Sequence, residues 1–358
     1  MFNKTLFLFL FISLSLAFSQ GKQATPLYAY QSNNEWSVVA SDGSIFFKSK
    51  NIVEISGYAE GLIRAKIRER GEILWAYFNL NGELQFKIDT DGATEFSFGK
   101  AVVYNLVDKE SGANKYGIID KTGKYFKPII YNDALAFTEG LAYVMNDSIR
   151  GYIDTLGNMK IKLADKNVGF SFREGLAAVS NVKMKTSYID KEGKTILPFK
   201  YDESSYFSEG LVKVTTNGRF GFVDKTGEQI IPMMFGEAMP IYEGVTLVAK
   251  YDNNYKSVIW AVLTTRLKML TDWRFQDARA FEQGLAAVKY ADKWGFINTK
   301  GEFAFQDNYD LAESFAFDGL AFVKNSDLLG FIDKFGKKII TLPKAEKYVD
   351  LRWNKELK

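Results

Sequence analysis

The chain has 358 residues, of which 47% are hydrophobic and 25% are charged, as in a folded globular protein. Its 46 basic and 43 acidic residues are mixed along the sequence and give a net charge of +3, which argues against a nucleic-acid partner. The sequence contains no histidine and no cysteine. It therefore excludes catalytic triads that use these residues, the usual zinc, haem and iron–sulfur sites, and disulfide bonds.

The N-terminal residues have the pattern of a signal peptide. A short basic start precedes an apolar run from Leu6 to Phe18, and Ala17 and Ser19 are small residues two positions apart. We predict a signal peptide over residues 1–19 and a mature chain that begins at Gln20. A membrane anchor is the alternative, but the run is short for a span. We expect an exported protein, periplasmic or extracellular, with no membrane span after cleavage.

Two motifs recur along the remaining chain. The first resembles EGL and has its glycine at Gly61, Gly99, Gly140, Gly175, Gly210, Gly244, Gly284 and Gly319. The second resembles WGFI, and the residue after its aromatic is Ser37, Ala76, Gly117, Gly151, Ser187, Gly221, Ala261, Gly295 and Gly330. In both series successive members lie 34 to 41 residues apart. Two independent markers with one period indicate a repeat array.

Each repeat predicts three short strands. GLAAV and WGFIN are apolar runs bounded by turn residues, which is typical of a hairpin. DKTG and its variants follow as a type I turn with a left-handed glycine, and a third strand such as EQIIP comes next. The second position of the WGFI motif is glycine, alanine or serine in all nine copies. We expect a large side chain of a neighbouring repeat to lie over this small residue.

The motifs KWGFINTKG at Lys293, KYGIIDKTG at Lys115 and FEQGLAAV at Phe281 resemble the WG-repeat family, which is found mainly in bacteria. The resemblance covers residues 36–342. It implies an envelope or interaction role and no particular reaction. The unit IWAVLTTRL has lost its turn signals, and Arg150 and Thr186 replace the aromatic, so these units are expected to be less regular.

We predict an all-β fold of about eight to nine three-stranded units, stacked as an open twisted solenoid. A closed β-propeller is the alternative, but its blades usually have four strands and longer repeats. The predicted organisation is a signal peptide over 1–19, an N-terminal cap over 20–35, the array over 36–342 and a C-terminal cap over 343–358.

Acidic residues occupy two repeat positions. One series precedes the EGL glycine and the other opens the DKTG turn: Glu60, Glu139, Glu174, Glu209 and Glu243; Asp120, Asp154, Asp190, Asp224 and Asp333. Aligned carboxylates could bind Ca²⁺ or form a catalytic pair. Hydrogen bonds to turn backbone are the favoured interpretation, because lysine follows the turn aspartate in four repeats and no calcium-loop spacing occurs. We expect no metal and no cofactor.

Three repeats carry insertions between the EGL and WGFI motifs. Insertions of this kind lie in loops at one face of an array and often form its binding face, although neutral drift explains them equally well. Aromatic and arginine side chains are favoured contact residues. The candidate partner-contact residues in these insertions are Arg68, Arg70, Asp108, Lys109, Tyr251 and Tyr255.

The sequence thus predicts an exported, non-enzymatic scaffold that binds a protein or an envelope polysaccharide. The alternatives are a carboxylate-dependent, glycan-active enzyme and a purely structural surface protein. A carboxylate pair outside the repeat register would favour the enzyme, and the sequence marks no such pair.

Overall fold

The computed structural model describes residues 26–108, 110, 112–251, 258–305, 308–352 and 355–357. Within these ranges the chain forms strands and turns and contains no helical residue, so the all-β prediction is confirmed. The strands form nine sheets, here called blades 1 to 9, and the strands of a blade are called a to d in their order across the sheet.

Blade 1 combines both ends of the described chain: strand a is Lys347–Asp350, strands b to d are Pro26–Ser32, Glu35–Ala40 and Ile45–Ser49, and Lys355–Leu357 pairs with the free side of strand a. In blade 2, strands a to d are Ile52–Ala59, Leu62–Glu69, Glu72–Phe78 and Leu84–Ile88. In blade 3, they are Gly92–Ala93, Lys100–Asp108, Ala113–Asp120 and Tyr125–Tyr131. In blade 4, they are Asp133–Ala134, Leu141–Met145, Arg150–Asp154 and Met159–Lys162. They are Val168–Gly169, Leu176–Ser180, Thr186–Asp190 and Thr195–Tyr201 in blade 5; Glu203–Ser208, Leu211–Thr216, Arg219–Asp224 and Gln229–Phe235 in blade 6; Leu311–Ala312, Leu320–Lys324, Leu329–Asp333 and Lys338–Thr341 in blade 9. Blades 7 and 8 have strands a to c only: Glu237–Ala238, Val245–Tyr251 and Val258–Thr264; Asp277–Ala278, Leu285–Tyr290 and Lys293–Asn298.

Strand b of a blade is buried on both faces, because a neighbouring blade packs on each side, and this explains the uninterrupted apolar runs of the EGL motif. Ala142 and Val144 of blade 4 pack in the core shared with blade 3. Leu141 and Tyr143, which alternate with them, pack in the core shared with blade 5. Side chains of a strand alternate between its two faces, so a strand with a blade on either side is apolar at every position.

The array closes into a ring, and the predicted open solenoid is wrong. Strand b of blade 1 pairs with Lys347–Asp350 from the C-terminal segment, in register from Tyr28↔Asp350 to Gln31↔Lys347. Tyr28 and Val39 of blade 1 share a core with Phe322 of blade 9, so the last blade packs on the first. The fold is a nine-bladed β-propeller, the alternative that the sequence left open. The segments predicted as caps, residues 20–35 and 343–358, both contribute strands to blade 1.

The open prediction failed because the sequence pattern hides one strand of every unit. Strand a is only two residues long in six blades, as in Asp133–Ala134, and its Asn-Asp or Tyr-Asp context is typical of a turn. With strand a included, most units have the four strands of a propeller blade.

Strand a lies nearest the axis of the ring. Residues that end strand a or follow it contact each other directly in neighbouring blades: Ser97 Oγ donates to Phe137 O at 2.7 Å, and Ser208 Oγ donates to Ile241 O at 2.9 Å. Strand d is the exposed outer edge. In blades 7 and 8 isolated bridges such as Leu263↔Met269 and Ile297↔Phe303 take its place, and the unit that contains IWAVLTTRL is blade 7.

The small residue of the WGFI motif contacts its own blade. A Cβ atom on Gly151 would lie 2.0 Å from Ile161 O, and one on Gly330 would lie 2.0 Å from Ile340 O. Both carbonyls belong to strand d of the same sheet. The expectation that a neighbouring repeat's side chain covers this position is therefore wrong at these glycines, because the outer strand's backbone already occupies the space.

The glutamates of the first acidic series connect neighbouring blades. Glu139 of blade 4 accepts the N–H of Gly175 of blade 5 at 3.1 Å and binds Lys191 Nζ at 3.0 Å. Burial raises the pKa of Glu139, but the hydrogen bonds from Lys191 and Gly175 outweigh it and hold the pKa below its usual value. Glu174 likewise accepts the N–H groups of Glu209 and Gly210 at 2.7 and 3.0 Å.

The aspartates of the second series stabilise the turns that they open. Asp224 Oδ1 accepts the N–H of Thr226 at 2.8 Å and that of Glu228 at 2.9 Å. The side-chain hydrogen bond from Thr226 and these backbone bonds lower the pKa of Asp224. Both acidic series therefore bind backbone N–H groups, as the favoured interpretation predicts.

Candidate binding site

Four of the six candidate residues from the insertions are among the described residues, and they lie at two separate places on one end of the ring. All three insertions join strand b to strand c, so they share one end of the sheets. Arg68 and Arg70 are exposed at the tip of blade 2, and Asp108 is exposed at the tip of blade 3. Tyr251 ends strand b of blade 7, four blades away from blade 3. Lys109 and Tyr255 lie outside the described residues.

The described residues of these tips do not come together in one pocket. Asp108 accepts the N–H of Glu110 at 2.9 Å within its own loop. The ring of Tyr251 lies so close to Gly236 that a Cβ there would be 2.8 Å from it. The role of the tips in partner contact stays a prediction.

A cleft of about 800 Å³ opens between blades 5 and 6. One wall is formed by strands b and c of blade 5, with Leu176, Ala178 and Tyr188. The opposite wall is the start of blade 6, from Asp202 to Tyr206. The volume falls within the range of roughly 300–1,000 Å³ that is typical of ligand pockets.

The cleft exists because blade 5 lacks the aromatic side chain of the WGFI motif. Trp36 of blade 1 and Trp75 of blade 2 are buried against the next blade, where their Nε1 groups donate to Val53 O at 3.3 Å and Asp91 O at 3.2 Å. Arg150 of blade 4 replaces the aromatic but makes the equivalent bond, from Nη1 to Asn167 O at 3.1 Å. Each acceptor stands eight residues before the glycine of its EGL motif.

Blade 5 has Thr186 at this position. Its short side chain lies near Ser180, with the two hydroxyl oxygens 3.3 Å apart, and does not span the gap to blade 6. The residue eight positions before Gly210 is Asp202, which lines the cleft. The place where an aromatic side chain meets the next blade is thus left open.

A second small residue widens the same gap. Ala178 stands three residues after its EGL glycine, where blades 4, 7 and 9 have Tyr143, Leu247 and Phe322. Those three side chains are buried in the cores toward their next blades. With alanine on strand b and threonine on strand c, the wall of blade 5 is recessed over two neighbouring strands.

The cleft is polar at one end and combines a cation with exposed apolar groups at the other. Asp202 binds Lys185 and accepts the N–H of Asn217 at 2.8 Å, and the bond from Lys185 is the main cause of its lowered pKa. The Arg173 guanidinium lies 4.0 Å from the ring centroid of Tyr206. Tyr206 and Phe170 are each 46% exposed at the rim.

Arg173 also acts electrostatically on a group outside the cleft. Burial raises the pKa of Glu282 in blade 8, and the positive charge of Arg173 opposes that shift. Thr138 Oγ1, which also lines the cleft, is buried without a hydrogen-bond partner among the described residues. The axial end of the cleft therefore offers a cation and an unused hydroxyl.

A second cleft, of about 520 Å³, lies between blades 1 and 2 and contains Trp36, Glu54, Arg64 and Trp75. Two of its charged groups are already paired, because Glu54 binds Lys66 at 3.0 Å and Arg64 binds Glu95 of blade 3 at 2.6 Å. It retains the repeat aromatics that the larger cleft lacks, and is the weaker candidate.

Among the described residues, no group of three or more aspartates and glutamates is placed to hold a metal ion. The same part of the chain contains no helix with the length and apolar character needed to cross a membrane.

Sequence reasoning missed this cleft, although one signal for it was visible. Thr186 stands out from the repeat pattern, but the pattern alone predicts only an irregular unit. The gap becomes evident once the direction of the WGFI aromatic toward the next blade is known.

Comparisons with known proteins agree with the repeat and find a solved structure of similar fold. The family model described as "WG containing repeat" matches residues 116–148, 187–220, 220–255, 268–294 and 294–328. No curated protein matches the sequence.

A solved structure described as a eukaryotic initiation factor is similar in fold, with a TM-score of 0.59 and 10% identity over 92% of this chain and 97% of that chain. BamB from Moraxella catarrhalis has a TM-score of 0.42 and 11% identity over 75% of this chain and 91% of its own. At 10% identity the likeness to the initiation factor concerns the fold alone. The five matched segments carry the motifs that fix the repeat, and the chain contains WG repeats between residues 116 and 328.

Proposed function

We propose that the protein is an exported, non-enzymatic scaffold that binds a cell-envelope partner in the cleft between blades 5 and 6. The observation that carries the proposal is the cleft itself. It is a preformed pocket between two rigid blades, with mostly apolar walls and a few polar groups at its ends. This combination is the usual character of a binding site.

Export is supported by the basic start and the apolar run from Leu6 to Phe18. These residues lie outside the described part of the chain. The mature protein is expected to begin at Gln20, and its partner is therefore expected to be in the envelope or outside the cell.

Binding without catalysis is supported by the state of the acidic residues. Asp202, one of the two acids that line the cleft, has a lowered pKa because Lys185 binds it. A general acid of a glycan-active enzyme needs a raised pKa. The recurring glutamates and aspartates hold backbone N–H groups, as Glu174 and Asp224 do.

The proposal is tested by filling the cleft. In the variant Ala178→Tyr, the new ring takes the place that Tyr143 occupies one blade earlier, and we expect the purified chain to lose the partner that the wild type retains from envelope extract. Leu156→Tyr is the matched control, because Leu156 is exposed on the outer turn of blade 4. Equal partner retention by both variants, with unchanged melting temperatures, would contradict the proposal.

A further inference from the structure

We propose that the cleft between blades 5 and 6 accepts a tryptophan side chain from a peptide segment of the partner, in the place where other blades insert their own. This inference rests on the proposed function and names the group that is bound. The binding place, here called the seat, is the place between two blades where the first residue of the WGFI motif lies. Four blades of the same ring bury a tryptophan there: Trp36, Trp75, Trp260 and Trp294.

The polar requirement of the seat matches an indole. Trp36 and Trp75 each donate their single N–H to a backbone carbonyl of the next blade. Asp202 occupies the corresponding position beside the cleft. An incoming tryptophan has one donor and a large apolar surface, so it can bind such a carbonyl and bury its rings against Leu135 and Ala178, which are partly exposed in the cleft.

The rim is suited to a peptide. Met184, 76% exposed, lies at the tip side of the cleft, and the half-exposed Phe170 and Tyr206 lie nearer the axis. Exposed methionine and aromatic side chains adapt to varied peptide surfaces and are favoured as contact residues. The cleft is larger than one side chain, so residues that flank the tryptophan also enter it.

Arg173 adds a directed polar contact at the axial end. Its guanidinium is held over the Tyr206 ring, and its donors can bind a peptide carbonyl or carboxylate. A polysaccharide would instead need several hydrogen-bonding groups along the walls, whereas the partly exposed Leu135 and Ala178 offer apolar surface.

The probe is a capped Gly-Trp-Gly tripeptide in which the tryptophan carries fluorine at position 5, observed by ¹⁹F NMR. The fluorine reports only the ligand, so the protein's own six tryptophans do not interfere. We expect the chain to broaden and shift the signal. Because the Gly-Leu-Gly peptide lacks the ring and the donor, we expect it to compete at least about tenfold more weakly, a difference of about 1.4 kcal/mol.

The decisive variant is Thr186→Trp, which places the chain's own indole in the seat and should abolish probe binding. Arg150→Trp is the matched control, because it introduces the same residue at the same repeat position one blade earlier and leaves the cleft open. If Thr186→Trp does not fold, Ala178→Leu narrows the other wall with the residue that blade 7 has there, Leu247, and should weaken binding at least about tenfold.

Three results would overturn the inference. The first is a probe signal that the protein leaves unchanged, and the second is probe binding that persists undiminished in the cleft variants. The third is equal competition by the leucine peptide or stronger binding of an envelope oligosaccharide. In that third case the proposed function stands if Ala178→Tyr still releases the envelope partner, so failure of the two proposals can be told apart.

Discussion

Gly330 shows how a single atom decides the residue type at one repeat position. Its strand pairs with strand d, and the register between the two shifts at the neighbouring residue Phe331. At this shift Ile340 O comes within 2.0 Å of the place where a Cβ would lie. A carbonyl of a paired strand cannot move aside without breaking the ladder, so the glycine is required by backbone and not by a side chain.

We expect Gly330→Ala to lower the free energy of unfolding by about 2 kcal/mol or more, because the added methyl displaces strand d. Urea denaturation of the purified chain measures this loss. Ser187→Ala is the control, since Ser187 stands at the same repeat position with a Cβ already present, and it is expected to have a small effect. If Gly330→Ala is as stable as the wild type, strand d can shift to accommodate the added methyl group without loss of stability.

At the level of single residues, the sequence predicted the site only in part. The replacement of the aromatic by Thr186 is visible without a structure. Ala178 is not informative alone, because Ala287 of blade 8 stands at the same position in a well-filled core. Arg173 stands two residues before its EGL glycine, where blade 8 has Glu282, and this position varies too much among the repeats to mark a contact residue.

The blade is the element at which prediction and structure differ most. Strands b and c and the turn between c and d follow from their apolar runs and from the Asp-Lys-x-Gly pattern. Strand a could not be recognised, because two residues such as Asp133 and Ala134 carry no period. Its existence depends on the neighbouring strand b, whose inner edge offers unpaired backbone groups.

The tip of blade 2 provides a test at this scale. Arg68 pairs with Ile73 and Glu69 pairs with Glu72, so the hairpin ends in a two-residue turn at Arg70 and Gly71. Deleting these two cross-strand pairs keeps the turn and leaves every remaining side chain on its original face, since the side-chain period of a strand is two.

We expect this shortened protein to keep its fold, with a melting temperature close to that of the wild type, because the deleted tip is mostly exposed. If the tips contact the partner, retention from envelope extract should fall. The thermal scan and the retention assay are read together. If the shortened protein retains the partner as well as the wild type does, the blade 2 insertion is a product of neutral drift. If the shortened protein unfolds, the tip belongs to the core.

The closure of the ring is a property of the whole molecule, and the local sequence pattern does not indicate it. Repeats of one period are compatible with a solenoid or a ring. The choice depends on the rotation between blades and on whether the two ends of the chain can pair. Here Val349 and Leu351 of the C-terminal segment enter the core between blades 1 and 2, so the closing strand is packed as well as paired.

Arg352 secures this closure by joining the C-terminal segment to blade 9. Its side chain is 1% exposed, and its Nη1 group donates to Asp318 at 2.9 Å and to Leu320 O at 2.8 Å. Its Nη2 group binds Asp350, which is equally buried, at 2.7 Å. Removing one partner of a buried ion pair leaves an uncompensated charge, which typically costs about 3–5 kcal/mol.

We therefore expect Arg352→Met to lower the stability by about 3 kcal/mol or more and to increase the radius of gyration on mild heating, as the ring opens between blades 9 and 1. The double variant Asp350→Leu with Arg352→Met should recover part of the loss, because it removes both charges. Arg279→Met is the comparison, since Arg279 joins blades 8 and 9 through Ala312 O at 2.8 Å but is more exposed and lies away from the closure. Thermal melting and small-angle X-ray scattering of the three variants separate a loss at the closure from a loss at any blade interface. If the single variant Arg352→Met has the melting temperature of the wild type and stays compact, the paired strands hold the ring closed without the arginine.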